Sequence, residues 1–196
     1  SIPPTETQSP QTQTTAAVAT EVTVLTATAT TTIPPETTAA TEPETTVAAT
    51  TAVPESDPFF QEHETWFKAY MDYRTITDTD SVQYAMEQNA WTDDRGLRRM
   101  ADDYLVAMGT GWLESGCGER FAVTLENGSE FTVRVGDIKA DQHTDKTHRY
   151  RSCESGANVL EFIVDTGMLS GEARNAGTVS VYPELSGNIT AIVPAE

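Results

Sequence analysis

The sequence predicts a mainly β protein: a small six-stranded barrel, preceded by a short helical lead-in and a disordered N-terminal stalk. Its composition changes abruptly near residue 58. From Tyr104 to the C-terminus, short segments of alternating apolar and polar residues recur with almost no helical pattern between them. A closed barrel would leave no sheet edge exposed. We therefore expect a stalk at 1–57, a lead-in at 58–103 packed on the barrel, and the barrel at 104–196.

The N-terminal 57 residues have the composition of a disordered segment. They hold 19 Thr, 10 Ala and 7 Pro, and no aromatic residue, Lys, Arg, Gly or Cys. Such a segment buries too little apolar surface to offset an ordering cost of roughly 1–2 kcal/mol per residue. We expect a semi-extended spacer that displays the domain; the alternative is an inert tail. Because the chain begins at Ser1 rather than Met, we expect that an export signal or anchor has been removed.

The charge balance excludes several classes of partner. The formal net charge is −18 and the calculated isoelectric point is about 4.3. An acidic surface repels phosphate backbones, so we expect no nucleic-acid partner. No run of 18 or more apolar residues is present, so we expect no membrane span. The sequence offers no phosphate-binding motif, and we expect no cofactor. We also expect the protein to be extracellular or at the cell surface, and to be a monomer.

The lead-in carries helical signals. Asp57 followed by Pro58 is typical of a helix start, and an apolar stripe follows as far as Met71. A second short helix is predicted over 81–89, and a turn over 91–96. The residues expected on the buried side of this second helix are Val82, Ala85, Met86 and Ala90.

Six strands are predicted from the alternation of apolar and polar residues. Between the second and third, a three-residue loop ending at Gly128 places Val123 opposite Phe131 and keeps one face apolar. The fourth is apolar on both sides apart from Glu161, as expected of a central strand. The six ranges are 104–109, 120–125, 129–136, 158–165, 178–182 and 188–193.

Two cysteines, Cys117 and Cys153, both lie in polar loops of the predicted barrel. In an exported protein, an even number of cysteines favours a disulfide. We expect one disulfide that joins the two loops. The alternative is a pair of reduced thiols.

The order of these segments resembles a double-psi β-barrel of the rare-lipoprotein-A and three-aspartate type, found in bacterial cell-wall lytic enzymes. The resemblance rests on the strand at 104–109 and the Gly-rich loop after it, on a hairpin ending at Asp137, and on a strand ending at Asp165. A short helical stretch and two final strands complete the layout. The segment 70–93 and the loop 136–145 are also similar to exported proteins of Gram-positive gut bacteria that have no assigned activity.

The resemblance implies two catalytic positions, Asp137 and Asp165. In the lytic enzymes, a carboxylic acid at such a position protonates the glycosidic oxygen as the sugar bond breaks. Two departures from the pattern favour loss of activity. Ile138-Lys139-Ala140 follows the first Asp, and no His lies between the strand at 104–109 and Arg120.

The loop after Asp137 concentrates polar side chains. It is predicted to form a substrate-binding rim with Trp112, which could stack on a sugar ring or plug one end of the barrel. Two other interpretations remain open: a divalent metal site, or a solvated loop whose charges pair. The rim residues are Lys139, Asp141, His143, Asp145 and His148.

Two functional hypotheses follow. In the first, the barrel binds or remodels cell-wall glycan, chiefly peptidoglycan, either as a lytic-transglycosylase-like enzyme or as a degenerate relative of one. In the second, the domain is a non-catalytic surface module that binds a glycan, a peptide or a neighbouring protein. The missing His and the additional lead-in favour the second hypothesis.

Overall fold

A computed structural model describes residues 57–196, so the predicted stalk lies outside the described residues except for Asp57. No helix within 57–196 is long and apolar enough to cross a membrane. The described part of the chain forms three short helices and ten strands. The helices are α1 (Phe59–Glu62), α2 (Val82–Glu87) and α3 (Gly171–Ala176). The strands are β1 (Ala69–Asp72), β2 (Trp91–Thr92), β3 (Arg98–Met100), β4 (Asp103–Gly109), β5 (Arg120–Leu125), β6 (Glu130–Lys139), β7 (Arg151–Cys153), β8 (Gly156–Asn158), β9 (Glu161–Val164) and β10 (Ile189–Pro194).

Within the described residues, eight strands form one mixed sheet. Its main path runs β1-β9-β4-β6-β5-β10, and β3 adds the β2–β3 hairpin beside β4. The pairs β1–β9 and β4–β6 are parallel, while β4–β9, β5–β6 and β5–β10 are antiparallel. Strands β7 and β8 form a separate two-stranded ladder.

The predicted six-stranded closed barrel is therefore wrong in strand number and in closure, although the mainly β class is confirmed. The path ends at β1 and β10, which do not pair with each other. The predicted lead-in supplies the additional strands of the sheet, because β1, β2 and β3 all lie between residues 58 and 103. The helix predicted to run toward Met71 ends at Glu62, and the chain then extends to pair with β9.

The predicted strand at 178–182 is also wrong. Val179–Val181 is a 3-10 turn in which the Thr178 hydroxyl accepts a hydrogen bond from the Ser180 amide at 3.1 Å. The Val179 amide donates to the carbonyl of Lys68 at 3.1 Å. The backbone amides of this segment thus donate to a capping side chain and to one distant carbonyl. They do not form the repeated backbone hydrogen bonds of a β-strand pair.

Other predictions are confirmed by the pairing register. Val123 lies opposite Phe131, and Gly128 has a φ of 83°, as the three-residue loop requires. The second helix is present as α2, but its predicted buried side is wrong because Val82 is 60% exposed. Its buried residue is Glu87, which pairs with Arg98 at 2.8 Å.

The principal core lies on one face of the sheet. It is formed by inward-facing residues of β4, β5, β6, β9 and β10, together with α3 and the 3-10 turns near the C-terminus. Tyr104, Val106 and Met108 face this core from β4, while the alternate residues Leu105 and Ala107 face the opposite side of the sheet. The sheet thus has a second face, on which the candidate site lies.

A buried carboxylate joins three strands of the sheet. Asp103 is 1% exposed and accepts hydrogen bonds from Arg120 of β5 and Arg134 of β6, the shortest at 2.8 Å. Burial raises the pKa of Asp103, but hydrogen bonds from Arg120, Thr132 and Arg134 outweigh it and lower the pKa to about 2. The two guanidinium groups therefore hold β4, β5 and β6 together through one ionised side chain.

We expect Asp103→Asn to destabilise the protein at neutral pH by about 2–3 kcal/mol, because it leaves two guanidinium groups without their charged partner. The folded-state pKa lies below 3.8, the ordinary pKa of an aspartate side chain. The contribution of Asp103 should therefore be complete above about pH 4 and should fall away toward pH 2. Urea unfolding between pH 2 and 7 measures both effects. Asp102→Asn, a change at an exposed neighbour, is the control; equal loss in both variants would contradict the prediction.

Candidate active or binding groove

The second face of the sheet places two carboxylates on either side of a small residue. Ala107 of β4 is in register with Asp137 of β6 on one side and with Glu161 of β9 on the other. Side chains of register partners project to the same face. Two inter-strand spacings place the Cα atoms of Asp137 and Glu161 roughly 10 Å apart. Ala107 has only a methyl group, and it lines one cavity together with Asp137 and Glu161.

A β-bulge at Gly136 sets the orientation of Asp137. Val106 is in register with Val135, but the next residue, Ala107, is in register with Asp137, so Gly136 is the additional residue. A Cβ at position 136 would lie 2.8 Å from Ile163 Cδ1. Bulges re-aim side chains in this way next to functional sites. Here the bulge turns Asp137 to the second face, although the earlier residues of β6 with the same parity face the core.

Lys139 is the second charged residue that the bulge directs to this face. Its side chain is buried, and Nζ donates to the carbonyl of Asn158 at 3.1 Å. Burial lowers the pKa of Lys139 to about 8, and the charge of the nearby Glu161 opposes this shift. A buried amine poised near neutrality can donate a hydrogen bond to a ligand or exchange a proton with it.

Together these residues line a cavity of about 260 Å³, which we call the charged groove. It combines two carboxylates with an amine, a guanidinium and an imidazole around an apolar floor. Such a lining can accept hydrogen bonds from hydroxyl or ammonium groups and donate to carboxylate or carbonyl groups of the same ligand. The lining residues are Met71, Ala107, Asp137, Ile138, Lys139, Ala140, His143, Arg151 and Glu161.

Three of the predicted site residues, Asp137, Lys139 and His143, meet in the charged groove. One further ionisable residue of the groove, Glu161, was not predicted as a site residue. The signal for Glu161 was visible in the sequence, because it is the one charge in an otherwise apolar central strand. The signal was not sufficient, because only the pairing of β9 with β4 places Glu161 across Ala107 from Asp137.

Trp112 is packed within the protein away from the charged groove. Its ring stacks on Phe60 with a centroid separation of 5.7 Å, and the Arg149 guanidinium lies 3.9 Å from the ring centroid. Its Nε1 donates to the carbonyl of Arg149 at 2.7 Å. Arg149 also pairs with Asp57. The indole therefore fastens the beginning of the described chain to the loop that precedes β7.

The remaining residues of the predicted rim hold their own loop together. Asp145 accepts hydrogen bonds from the backbone amides of Thr147, Arg149 and Tyr150. Burial opposes ionisation of Asp145, but these hydrogen bonds and that of the Thr147 hydroxyl lower its pKa to about 2. Asp141 accepts from the Thr110 hydroxyl at 2.7 Å. Neither carboxylate lines the charged groove.

The loop also packs closely against the end of β4. His148 has a φ of 56°, and a Cβ at Gly109 would lie only 2.0 Å from its carbonyl oxygen. Only glycine tolerates such a close backbone approach. The His148 imidazole Nδ1 lies 3.2 Å from the Thr144 hydroxyl. The loop is thus fixed by its backbone and by short polar contacts.

Asp165, the second predicted catalytic position, lies in different surroundings from Asp137. Its Oδ1 accepts hydrogen bonds from Arg74 Nη2 at 2.8 Å and from the Gly167 amide at 3.0 Å. It follows the end of β9, four residues beyond Glu161. The two cavities that reach Asp137 are not lined by Asp165. Glu161, and not Asp165, lines the charged groove together with Asp137.

The predicted disulfide is wrong, since Cys117 and Cys153 are both free thiols. Burial raises the pKa of Cys117, and the charge of Asp137 adds to the effect. The Cys153 thiol donates to the carbonyl of Gly156 at 3.3 Å, inside the turn that joins β7 to β8. Each thiol is thus held beside its own element, and close backbone packing joins the loops without a covalent link.

Comparison of this chain with protein-family models, with curated proteins and with solved structures finds no match. The resemblance to double-psi barrels therefore stays a prediction. Across residues 57–196, no group of three or more His, Cys, Asp or Glu side chains is arranged to hold a metal ion. The candidate site is defined by the geometry of the charged groove.

The buried amine of Lys139 predicts an unusual dependence of stability on pH. Its folded-state pKa of about 8 lies below 10.5, the ordinary pKa of a lysine side chain. The unfolded chain therefore binds more protons between these values, and stability should rise with pH across the window. Lys139 should contribute on the order of 3 kcal/mol to this rise in the free energy of unfolding. Lys139→Met should remove this part of the rise when urea unfolding is measured from pH 7.5 to 10.5.

The matched control is Lys146→Met, which removes an exposed positive charge in the neighbouring loop. Lys68 has a similarly lowered pKa, so the wild-type rise should be reduced in Lys139→Met rather than abolished. A pH profile of Lys139→Met parallel to that of the wild type would contradict the assignment.

Proposed function

We propose that residues 58–196 form a non-catalytic module that binds cell-wall glycan, peptidoglycan in particular, in the charged groove. On this proposal, the Thr-rich segment at 1–57 displays the module at the cell surface. The observation that carries the proposal is the set of ionisable groups of both signs around Ala107 in a cavity of about 260 Å³. Peptidoglycan presents hydroxyl, amide, amine and carboxylate groups in one polymer, and this lining offers a partner for each.

The groove has the features of a preorganised binding site. Asp137, Lys139 and Glu161 are carried by adjacent strands of one sheet, so their spacing is fixed by backbone pairing. The Lys139 ammonium already donates to the Asn158 carbonyl and retains donors for a ligand. The net charge of −18 disfavours anionic polymers such as nucleic acid.

A second candidate function is glycan hydrolysis at the same place. The observation that favours it is the pair Asp137 and Glu161 facing each other across Ala107. Glycosidases that invert configuration use two carboxyl groups roughly 6.5–9.5 Å apart, one as acid and one as base. The backbone spacing of this pair is compatible with that range.

Binding to purified peptidoglycan tests the proposal. We expect the full chain to sediment with sacculi, and Glu161→Gln and Lys139→Met to weaken binding at least about tenfold, since each removes a charged hydrogen-bonding group. Glu154→Gln and Lys146→Met make the same chemical changes at exposed positions outside the groove. They should leave affinity unchanged within about twofold.

The result that overturns the proposal is a wild-type protein that stays in the supernatant, or groove variants that bind as well as their controls. Mass spectrometry of the supernatant distinguishes the second candidate. Soluble fragments that appear with the wild type and not with Asp137→Asn would establish hydrolysis, whereas binding without release supports the module. Thermal unfolding of each variant verifies that it is folded.

A further inference from the structure

A second cavity, of about 340 Å³, lies beyond the charged groove, beside α2 and the turn before it. We call it the aromatic cavity. It differs from the charged groove in chemistry, because two tyrosines and an isoleucine supply much of its surface. The residues that matter here are Tyr73, Ile76, Thr77, Tyr84, Glu87 and Gln88.

A third cavity, of about 300 Å³, shares lining residues with both, and we call it the connecting cavity. The connecting cavity shares Met71 and Asp137 with the charged groove. It shares Ile76 and Thr77 with the aromatic cavity. The three cavities are therefore neighbours that share lining residues in sequence, and the polar groups of the connecting cavity include Ser81 and Gln83.

Glu87 gives the aromatic cavity an unsatisfied hydrogen-bond acceptor. Glu87 is only 4% exposed, and its Oε2 accepts a hydrogen bond from Arg98 Nε at 2.8 Å. Its Oε1 is buried and accepts no hydrogen bond from any described residue. A buried acceptor without a partner carries an energetic cost. A ligand hydroxyl or amide N–H in the cavity would remove that cost.

The chemistry of the aromatic cavity suits a sugar ring. The ring of Tyr84 offers flat apolar surface to the C–H groups of a pyranose. The Tyr73 ring already packs against the guanidinium groups of Arg98 and Arg74, which lie 4.6 and 5.1 Å from its centroid. Thr77, Gln88 and Glu87 can bond the hydroxyl groups that surround such a ring. A charged peptide would find one exposed base, Arg74, already paired with Asp72 and Asp165.

We propose that the three cavities form one extended groove for an oligosaccharide, with the charged groove at one end and a sugar-ring subsite at Tyr84 and Glu87 at the other. This inference rests on the proposed function, since it assumes that the charged groove binds glycan. It adds that the ligand is a chain of several sugar units rather than a single unit, because one unit cannot occupy both ends.

Chain-length dependence tests the inference. The probes are peptide-free glycan strands of one to five disaccharides, released from peptidoglycan, with affinity measured by calorimetry on the full chain. We expect the Kd of the wild type to fall at least about tenfold once a strand is long enough to span the groove. Tyr84→Ser should abolish this gain and leave the Kd of the shortest strand unchanged.

Val82→Ser is the matched control, since Val82 lies on the same helix, is 60% exposed and lines none of the three cavities. Should Tyr84→Ser fail to fold, Thr77→Val removes a hydroxyl shared by the connecting and aromatic cavities from an exposed residue. It should reduce the gain for long strands, with little effect on the short one.

The outcomes separate the two proposals. Binding of strands with a Kd independent of length, or a Tyr84→Ser variant with the wild-type gain, would overturn the extended groove and leave glycan binding intact. Binding that requires attached stem peptides would also overturn it, in favour of a peptide ligand. No binding of sacculi or strands at any length would remove the proposed function itself.

Discussion

The bulge at Gly136 is the constraint on which both the core and the candidate site depend. Before it, Val133 and Val135 of β6 face the core; after it, Asp137 and Lys139 face the opposite side of the sheet. Without the additional residue, the alternation along β6 would direct both charges toward the apolar core, where unpaired charge is costly. Gly136, which packs close to Ile163, thus allows β6 to present apolar residues on one face of the sheet and charged residues on the other.

The candidate site is positioned by paired strands of the sheet rather than by the loop that follows β6. Asp145 uses its hydrogen-bonding capacity to hold its own loop, and Trp112 is packed against Phe60 and Arg149. Asp137 and Glu161 are instead placed by strand pairing and line the same cavity. A site built on paired strands retains its spacing when loops move, which suits recognition of a rigid polymer.

Local patterns predicted local structure well. The alternation in β5 and β6, with Gly128 in the loop, predicted that Val123 lies opposite Phe131, because a hairpin register depends only on neighbouring residues. The same approach failed for 178–182, where Thr178 caps a 3-10 turn in place of a strand. It also failed for β1, whose extended form depends on its parallel pairing with the distant β9.

The sequence by itself determined the mainly β class, the compositional boundary near residue 58 and the acidic charge, and it indicated Asp137, Lys139 and His143, which line one cavity. Each of these follows from residue types and short spacings along the chain. Only the tertiary structure decided that the sheet stays open, that the cysteines remain apart, and that Glu161 rather than Asp165 faces Asp137. The physical reason is that these outcomes depend on which distant strands pair. The local pattern of side chains along one strand does not specify its partner.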